Sequence, residues 1–197
     1  MKNREKALIS ALVIGVLGSL AGLGVFGAFS ATTTNAGNEI NTGTVTLTDN
    51  DTGSALYNLP NARPGDAVSK CIRVTFSGSL DSDVDLYMPD AVGPISQYVN
   101  LTITPGTQTA STFPSCSGFT AATFGPIYNG TLQNFAATHN SFVTGLDKDP
   151  SNPVNWAPNT SVVYKFDVSL SASAPGTAEG ASTGSHAFVW EASSSAS

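Results

Sequence analysis

The stretch Val162-Val163-Tyr164-Lys165-Phe166-Asp167-Val168-Ser169-Leu170 decides the fold class. Val162, Tyr164, Phe166, Val168 and Leu170 lie on one face of an extended backbone and Lys165, Asp167 and Ser169 on the other, because successive strand side chains point to opposite faces. The same period of two recurs upstream. Val99, Leu101 and Ile103 alternate with Asn100, Thr102 and Thr104, predicting a strand that stops at Pro105-Gly106. Asp81, Asp83, Asp85 and Tyr87 alternate with Val84, Leu86 and Met88, giving one wet and one buried face. In a strand over Ala67–Phe76, Ile72, Val74 and Phe76 share one face and Cys71, Arg73 and Thr75 the other. Before it, Pro64-Gly65 predicts a type II turn, since Pro fixes φ and Gly tolerates positive φ at the next position. Val45 and Leu47 alternate with Thr44, Thr46 and Thr48, and the polar residues from Asp49 to Gly53 form the exit turn.

Downstream, a small-residue linker, Ser171 to Ser185, leads to a strand over His186–Glu191 with Phe188 and Trp190 on one face, followed by a Ser-rich tail. From Pro105 to about Pro158 the pattern weakens. Short strands are expected around Phe119–Phe124 and Thr131–Phe135, with a brief helix over Thr131–Thr138 as the alternative. Several short strands without sustained helical periodicity after Phe29 predict an all-β chain, an antiparallel sandwich or barrel without internal repeats.

The 197 residues suffice for a real core. Charged residues make up 11% against 41% hydrophobic, which argues against a charged helical bundle. With 14 acidic and 8 basic residues and a net charge of −6, the chain cannot neutralise many phosphates, so no nucleic-acid partner is expected. Lys2, Arg4 and Lys6 precede an uncharged run from Ala7 to Asn38 that opens Ala7-Leu-Ile-Ser-Ala-Leu-Val-Ile-Gly-Val-Leu-Gly18, the pattern of a secretory signal. Ala7 to Phe29 is also long enough to span a bilayer, so a retained anchor is the alternative and the expected route to membrane contact. Gly18, Gly22, Gly24 and Gly27 loosen its second half, and its small-residue end favours cleavage between Ala28 and Phe29. The expected organisation is a signal peptide over 1–28 and one sandwich domain over 29–197 with a Ser-rich tail, secreted or held at the cell surface. Cleavage removes three basic residues and only Glu5, leaving a more acidic mature chain. Export would place Cys71 and Cys116 in an oxidising compartment, where a bridge is expected to add up to roughly 4 kcal/mol. Two buried free thiols are the alternative.

Several features fall in one order. Gly27-Ala28-Phe29-Ser30 ends the signal, Gly43-Thr44-Val45-Thr46-Leu47 follows, then Leu59 with Pro64-Gly65-Asp66, then Gly78-Ser79-Leu80, and finally Gly180 to Trp190. Together they resemble the cleavage region, first strand, turn, small loop and closing aromatic strand of the TasA/camelysin family, secreted through a SipW-type signal peptidase. The resemblance covers both ends and leaves about Ser96 to Pro158 unmatched; the cysteine pair and Ser77, where the loop often has Asn, depart from it. It implies a jelly-roll-like β-sandwich and, for the better-known members, extracellular fibres of a biofilm matrix in which the mature amino-terminal segment completes a neighbour's sheet. Self-association is the implied partnership, with other matrix or surface proteins as further partners. Phe29-Ser-Ala-Thr-Thr-Thr-Asn-Ala36 is uncharged, Thr-rich and free of Pro, and so suited to adding a strand to an exposed edge. A frayed terminus is the plain alternative.

The camelysin resemblance also implies a metallopeptidase, which needs about three protein ligands to zinc. The chain has His139 in a polar loop and His186 at a strand start, both read as rim residues, and no His-Glu-x-x-His helix. No Gly-x-Ser-x-Gly elbow is present. No catalytic residue and no cofactor are therefore expected. Asp81-x-Asp83-x-Asp85 resembles part of a calcium loop but lacks the Gly turn and terminal Glu of an EF-hand. The three are calcium candidates set against a solvated outer face. Asn50, Asn100, Asn129 and Asn159 begin Asn-x-Ser/Thr triplets and mark expected exposed segments. The leading expectation is a secreted structural subunit. The alternatives are a surface module binding glycan or protein through Tyr98, Tyr128 and Trp156, and a peptidase.

Overall fold

A computed structural model describes residues 44–110, 112–153 and 155–194. The signal segment, its Ala28/Phe29 junction and the Phe29–Ala36 stretch lie outside the described residues. The elements are β1 (Leu47–Asp49), β2 (Ala67–Phe76), β3 (Ser82–Tyr87), β4 (Val99–Gln108), β5 (Phe119–Ala121), β6 (Tyr128–Thr131), helix α1 (Leu132–Thr138), β7 (Ser161–Leu170) and β8 (Val189–Ser194). A six-stranded sheet runs β1-β2-β7-β4-β5, with β6 also pairing β4, and a second sheet pairs β3 with β8. Every pairing is antiparallel. The fold is the all-β sandwich expected. Its core takes Ile72, Val74 and Phe76 from β2, Val84 and Leu86 from β3, Leu101 and Ile103 from β4, and Tyr164, Phe166 and Val168 from β7. These are the apolar sets that the alternation assigned to single faces.

The outer face of β2 carries Cys71, bonded to Cys116 with the Cα atoms 5.1 Å apart. The bridge pins the loop after β4 over the sheet, where Cys71, Val163 and Gln108 are buried. Gln108 Nε2 donates to the Ser115 and Ser117 carbonyls at 2.9 and 2.7 Å, and Arg73 Nη2 donates to the Gln108 carbonyl at 2.7 Å. The turn at Pro64-Gly65 also forms. Gly65 has φ +96°, and Asp66 N–H donates to Arg63 O at 2.9 Å.

Four expectations need correction. The first strand begins at Leu47, because the Thr44 and Thr46 carbonyls accept from Ser79 and Ser77 rather than joining the ladder with β2. β4 continues through Pro105-Gly106 to Gln108. Its neighbour changes there, from β6 opposite Asn100–Ile103 to β5 opposite Gly106–Gln108, so the proline's missing N–H falls in the gap between two ladders. Gly106 is needed next to it, since a Cβ would meet Thr120 O at 2.2 Å. The strand expected over Thr131–Phe135 is replaced by the alternative helix. Thr131 caps it, its Oγ1 accepting from Asn134 N–H at 3.2 Å, and Leu132 and Phe135, three residues apart, face the core. β6 just before it was not anticipated. Last, β8 starts at Val189 rather than His186 and runs into the Ser-rich tail, where Ser193 and Ser194 pair with Asp83 and Ser82.

Candidate functional site

Among the described residues, two places offer a cluster of acids or a strand edge without a backbone partner. The first is built on β3, whose alternation buries Val84 and Leu86 and turns Asp83 and Asp85 outward. One edge of β3 pairs β8, placing Glu191 opposite Asp85. The other edge receives two isolated bridges, Ser82 with Trp156 and Leu86 with Leu146. In the second, Leu86 N–H donates to Leu146 O at 3.0 Å and Leu146 N–H to Leu86 O at 2.9 Å. Antiparallel register then sets Asp147 across from Asp85. Gly145 permits the approach, since a Cβ there would sit 2.7 Å from Asp85 Cβ.

Asp83, Asp85 and Asp147 each bring a carboxylate oxygen within 4.8 Å of the other two. Two of the three calcium candidates are thus brought together. Asp81 is exposed, precedes β3 and is not part of the trio, and Asp147 takes its place. Asp147 is 9% exposed. Its Oδ1 accepts from Asp149 N–H at 2.5 Å, while its buried Oδ2 has no hydrogen-bond partner. Burial pushes the Asp147 carboxyl up, the Asp149 amide and Lys148 pull it back, and Asp83 and Asp149 raise it again. Burial, then Asp83 and Asp147, push Asp85 up to about 6. Lys148 lies 5.4 Å from the centroid of the Trp156 ring, and its pKa is lowered, chiefly by burial.

The histidines stand elsewhere. His186 Nδ1 faces the Gly184 carbonyl at 3.1 Å, so it carries the ring proton, and Nε2 accepts from the Tyr57 hydroxyl at 2.6 Å. His139 Nδ1 donates to Thr144 O at 2.7 Å, and its ring packs on Phe135 and Tyr128. Among the described residues neither joins a group of three that could hold an ion. A peptidase zinc centre draws on imidazole or thiolate ligands, and an all-carboxylate trio does not fit it. Of the three contact aromatics, Tyr98 and Tyr128 are half-buried, and only Trp156 needs correction. Trp156 is wholly buried, and half-buried Tyr128 donates its hydroxyl to Thr131 O at 2.6 Å. Of the Asn-x-Ser/Thr sites, Asn100, Asn129 and Asn159 are exposed, but Asn50 is half-buried and accepts from Arg73 N–H at 2.8 Å.

The second place is a groove of about 1120 Å³ beside β8. Its floor includes Ile72, Val168 and Leu170 from the large sheet, Phe188 and Trp190 reach into it, and the irregular segment 54–62 forms a wall. β8 is bonded to β3 along one edge, and among the described residues no backbone hydrogen bond joins its other edge. Leu170, Phe188 and Trp190 remain half-exposed there.

Residues 3–94 match the model of a family described as camelysin metallo-endopeptidase. The matched span holds the Gly43–Leu47 stretch, Leu59, the Pro64-Gly65-Asp66 turn and the Gly78-Ser79-Leu80 loop. Over those residues the resemblance to the TasA/camelysin family is borne out. No curated protein matches the chain. Among the described residues no helix is long and apolar enough to cross a membrane.

Proposed function

We infer that the mature chain is a secreted, non-enzymatic structural subunit that builds extracellular fibres by lending its amino-terminal segment as a strand to the next copy. The observation that carries this reading is the edge of β8 that has no backbone partner among the described residues, beside a groove with Leu170, Phe188 and Trp190 in its lining. A two-stranded sheet facing a six-stranded one leaves Leu170 and its neighbours half-covered. A strand laid in the groove would bond to β8 and cover that floor, the means by which exposed sheet edges recruit extended segments. Phe29–Ala36 has the composition for it, and at about 3.3 Å per residue it is long enough to run the length of β8. Such head-to-tail contacts propagate as a filament when they do not close into a ring.

Deleting Phe29 to Asn35 from the mature chain tests the proposal. A folded monomer that no longer polymerises, by circular dichroism and electron microscopy, is expected; undiminished fibres would overturn it. The family description keeps a second outcome in view. Chelator-sensitive proteolysis by the purified monomer would replace the structural reading with a peptidase.

A further inference from the structure

We propose that Asp83, Asp85 and Asp147 form a binding site for a hard divalent cation, calcium by their donor chemistry, which clamps the Gly145–Asp147 loop onto the edge of β3 opposite β8. The geometry is that of a site rather than of an acidic surface. Asp147, Asp85 and Glu191 form a row of acids across three neighbouring backbone segments, and Asp83 stands two residues along the same face. Like charges directly opposite one another across a ladder are destabilising. Lys148 adds one positive charge beside Asp147, Asp149 and Asp83, so among the described residues carboxylates outnumber ammonium groups there.

Independently of the crowding, Asp147 buries an oxygen that has no donor. A carboxylate taken out of water is costly unless it is paired or coordinates a metal, and Asp147, nine-tenths buried, brings a carboxylate oxygen within 4.8 Å of those of Asp83 and Asp85. Three oxygens within 4.8 Å of one another share a centre no more than about 2.8 Å from each, a few tenths of an ångström from calcium's bond length of about 2.3–2.6 Å. The set holds no nitrogen or sulfur, which selects a hard ion over zinc. Asp83 and Asp85 are half-exposed, leaving room for the waters that complete a coordination number of about 6–8. The ion would bridge a loop and a strand that touch through a single bridge at Leu146. None of this depends on fibre formation.

The test uses the mature chain, calcium alone as the probe, titration calorimetry and thermal melting with calcium or with chelator. Saturable binding in the range of roughly 0.1–1 mM and an upward shift of the melting midpoint are expected. Asp147→Asn should lose the shift while melting no lower than wild type in chelator, because it relieves like-charge repulsion. Asp83→Asn, a second variant less embedded in the fold, should weaken binding by roughly tenfold or more. Asp81→Asn should keep the full shift, which separates this site from the run of aspartates read along the sequence. No calcium-dependent shift in wild type, or an equal shift in Asp83→Asn or Asp147→Asn, would overturn the proposal.

Discussion

Tyr57 joins two distant parts of the chain by donating its hydroxyl to His186 Nε2, and burial pushes its ionisation far above the ordinary phenol value of about 10. Tyr164, wholly buried on β7, is raised for the same first reason. The sign for stability follows. The folded state holds these protons more tightly than the unfolded chain, so their contribution is complete below about pH 10 and is lost as pH rises through the folded values. Folding should therefore fail in alkali before either phenol ionises in place. Difference absorbance between wild type and Tyr57→Phe, followed beside circular dichroism, should show no Tyr57 phenolate until the far-ultraviolet signal collapses. A phenolate from Tyr57 in a folded chain would refute the account. The acidic trio shows what single residues cannot reveal. Asp83 and Asp85 are legible in the sequence as a pair on one strand face, but Asp147 joins them through the Leu86–Leu146 bridge, which no local pattern announces.

The strands legible in the sequence are those in which one face is buried and the other wet. β3 satisfies this throughout, and β2 and β7 do so except at Cys71 and Val163; the boundaries of all three follow the alternation closely. Where another force sets the element, the pattern misleads. Pro105 is admitted to β4 because the ladder changes partner beside it, and Thr131 turns an apparent strand into a helix by capping it. The Ser-rich end of β8 is held by register with β3, not by apolar residues of its own. The cysteine pair was legible from compartment and count, but its task was not. It fastens the loop after β4 over Val163 and Gln108 on the outer face, a small second core that periodicity could not indicate. Closing a loop across a sequence separation of 45 should make the bridge worth roughly 4 kcal/mol through unfolded-state entropy. Cys71→Ala with Cys116→Ala should thus unfold at markedly lower denaturant, with the main sandwich still forming in its absence. Unchanged denaturant midpoints for the double variant and the oxidised parent would reject that role.

The two sheets of the sandwich are unequal, and that inequality shapes the molecule. β7 lies between β2 and β4 and directs Tyr164, Phe166 and Val168 into the core, while among the described residues the facing sheet has two strands. On the β3 side, the Leu146 and Trp156 bridges close the edge; on the β8 side, the groove is lined by buried Ile72 and Val168 and half-exposed Leu170. One closed edge beside one without a partner among the described residues suits a head-to-tail polymer, since two open edges would also allow unspecific edge-to-edge pairing. If the open edge receives the amino-terminal strand of a neighbour, a free peptide with the sequence Phe29–Ala36 should compete for it. Added to the chain lacking Phe29 to Asn35, the peptide should bind saturably and raise the melting midpoint. Added in excess to the mature chain during assembly, it should shorten fibres seen by electron microscopy, whereas a scrambled peptide should not. Leu170→Asp, which places a charge on the groove floor, should abolish both effects while β3's bridges keep the rest of the sandwich intact. Fibres of unchanged length at saturating peptide would show that the groove beside β8 is not where subunits join.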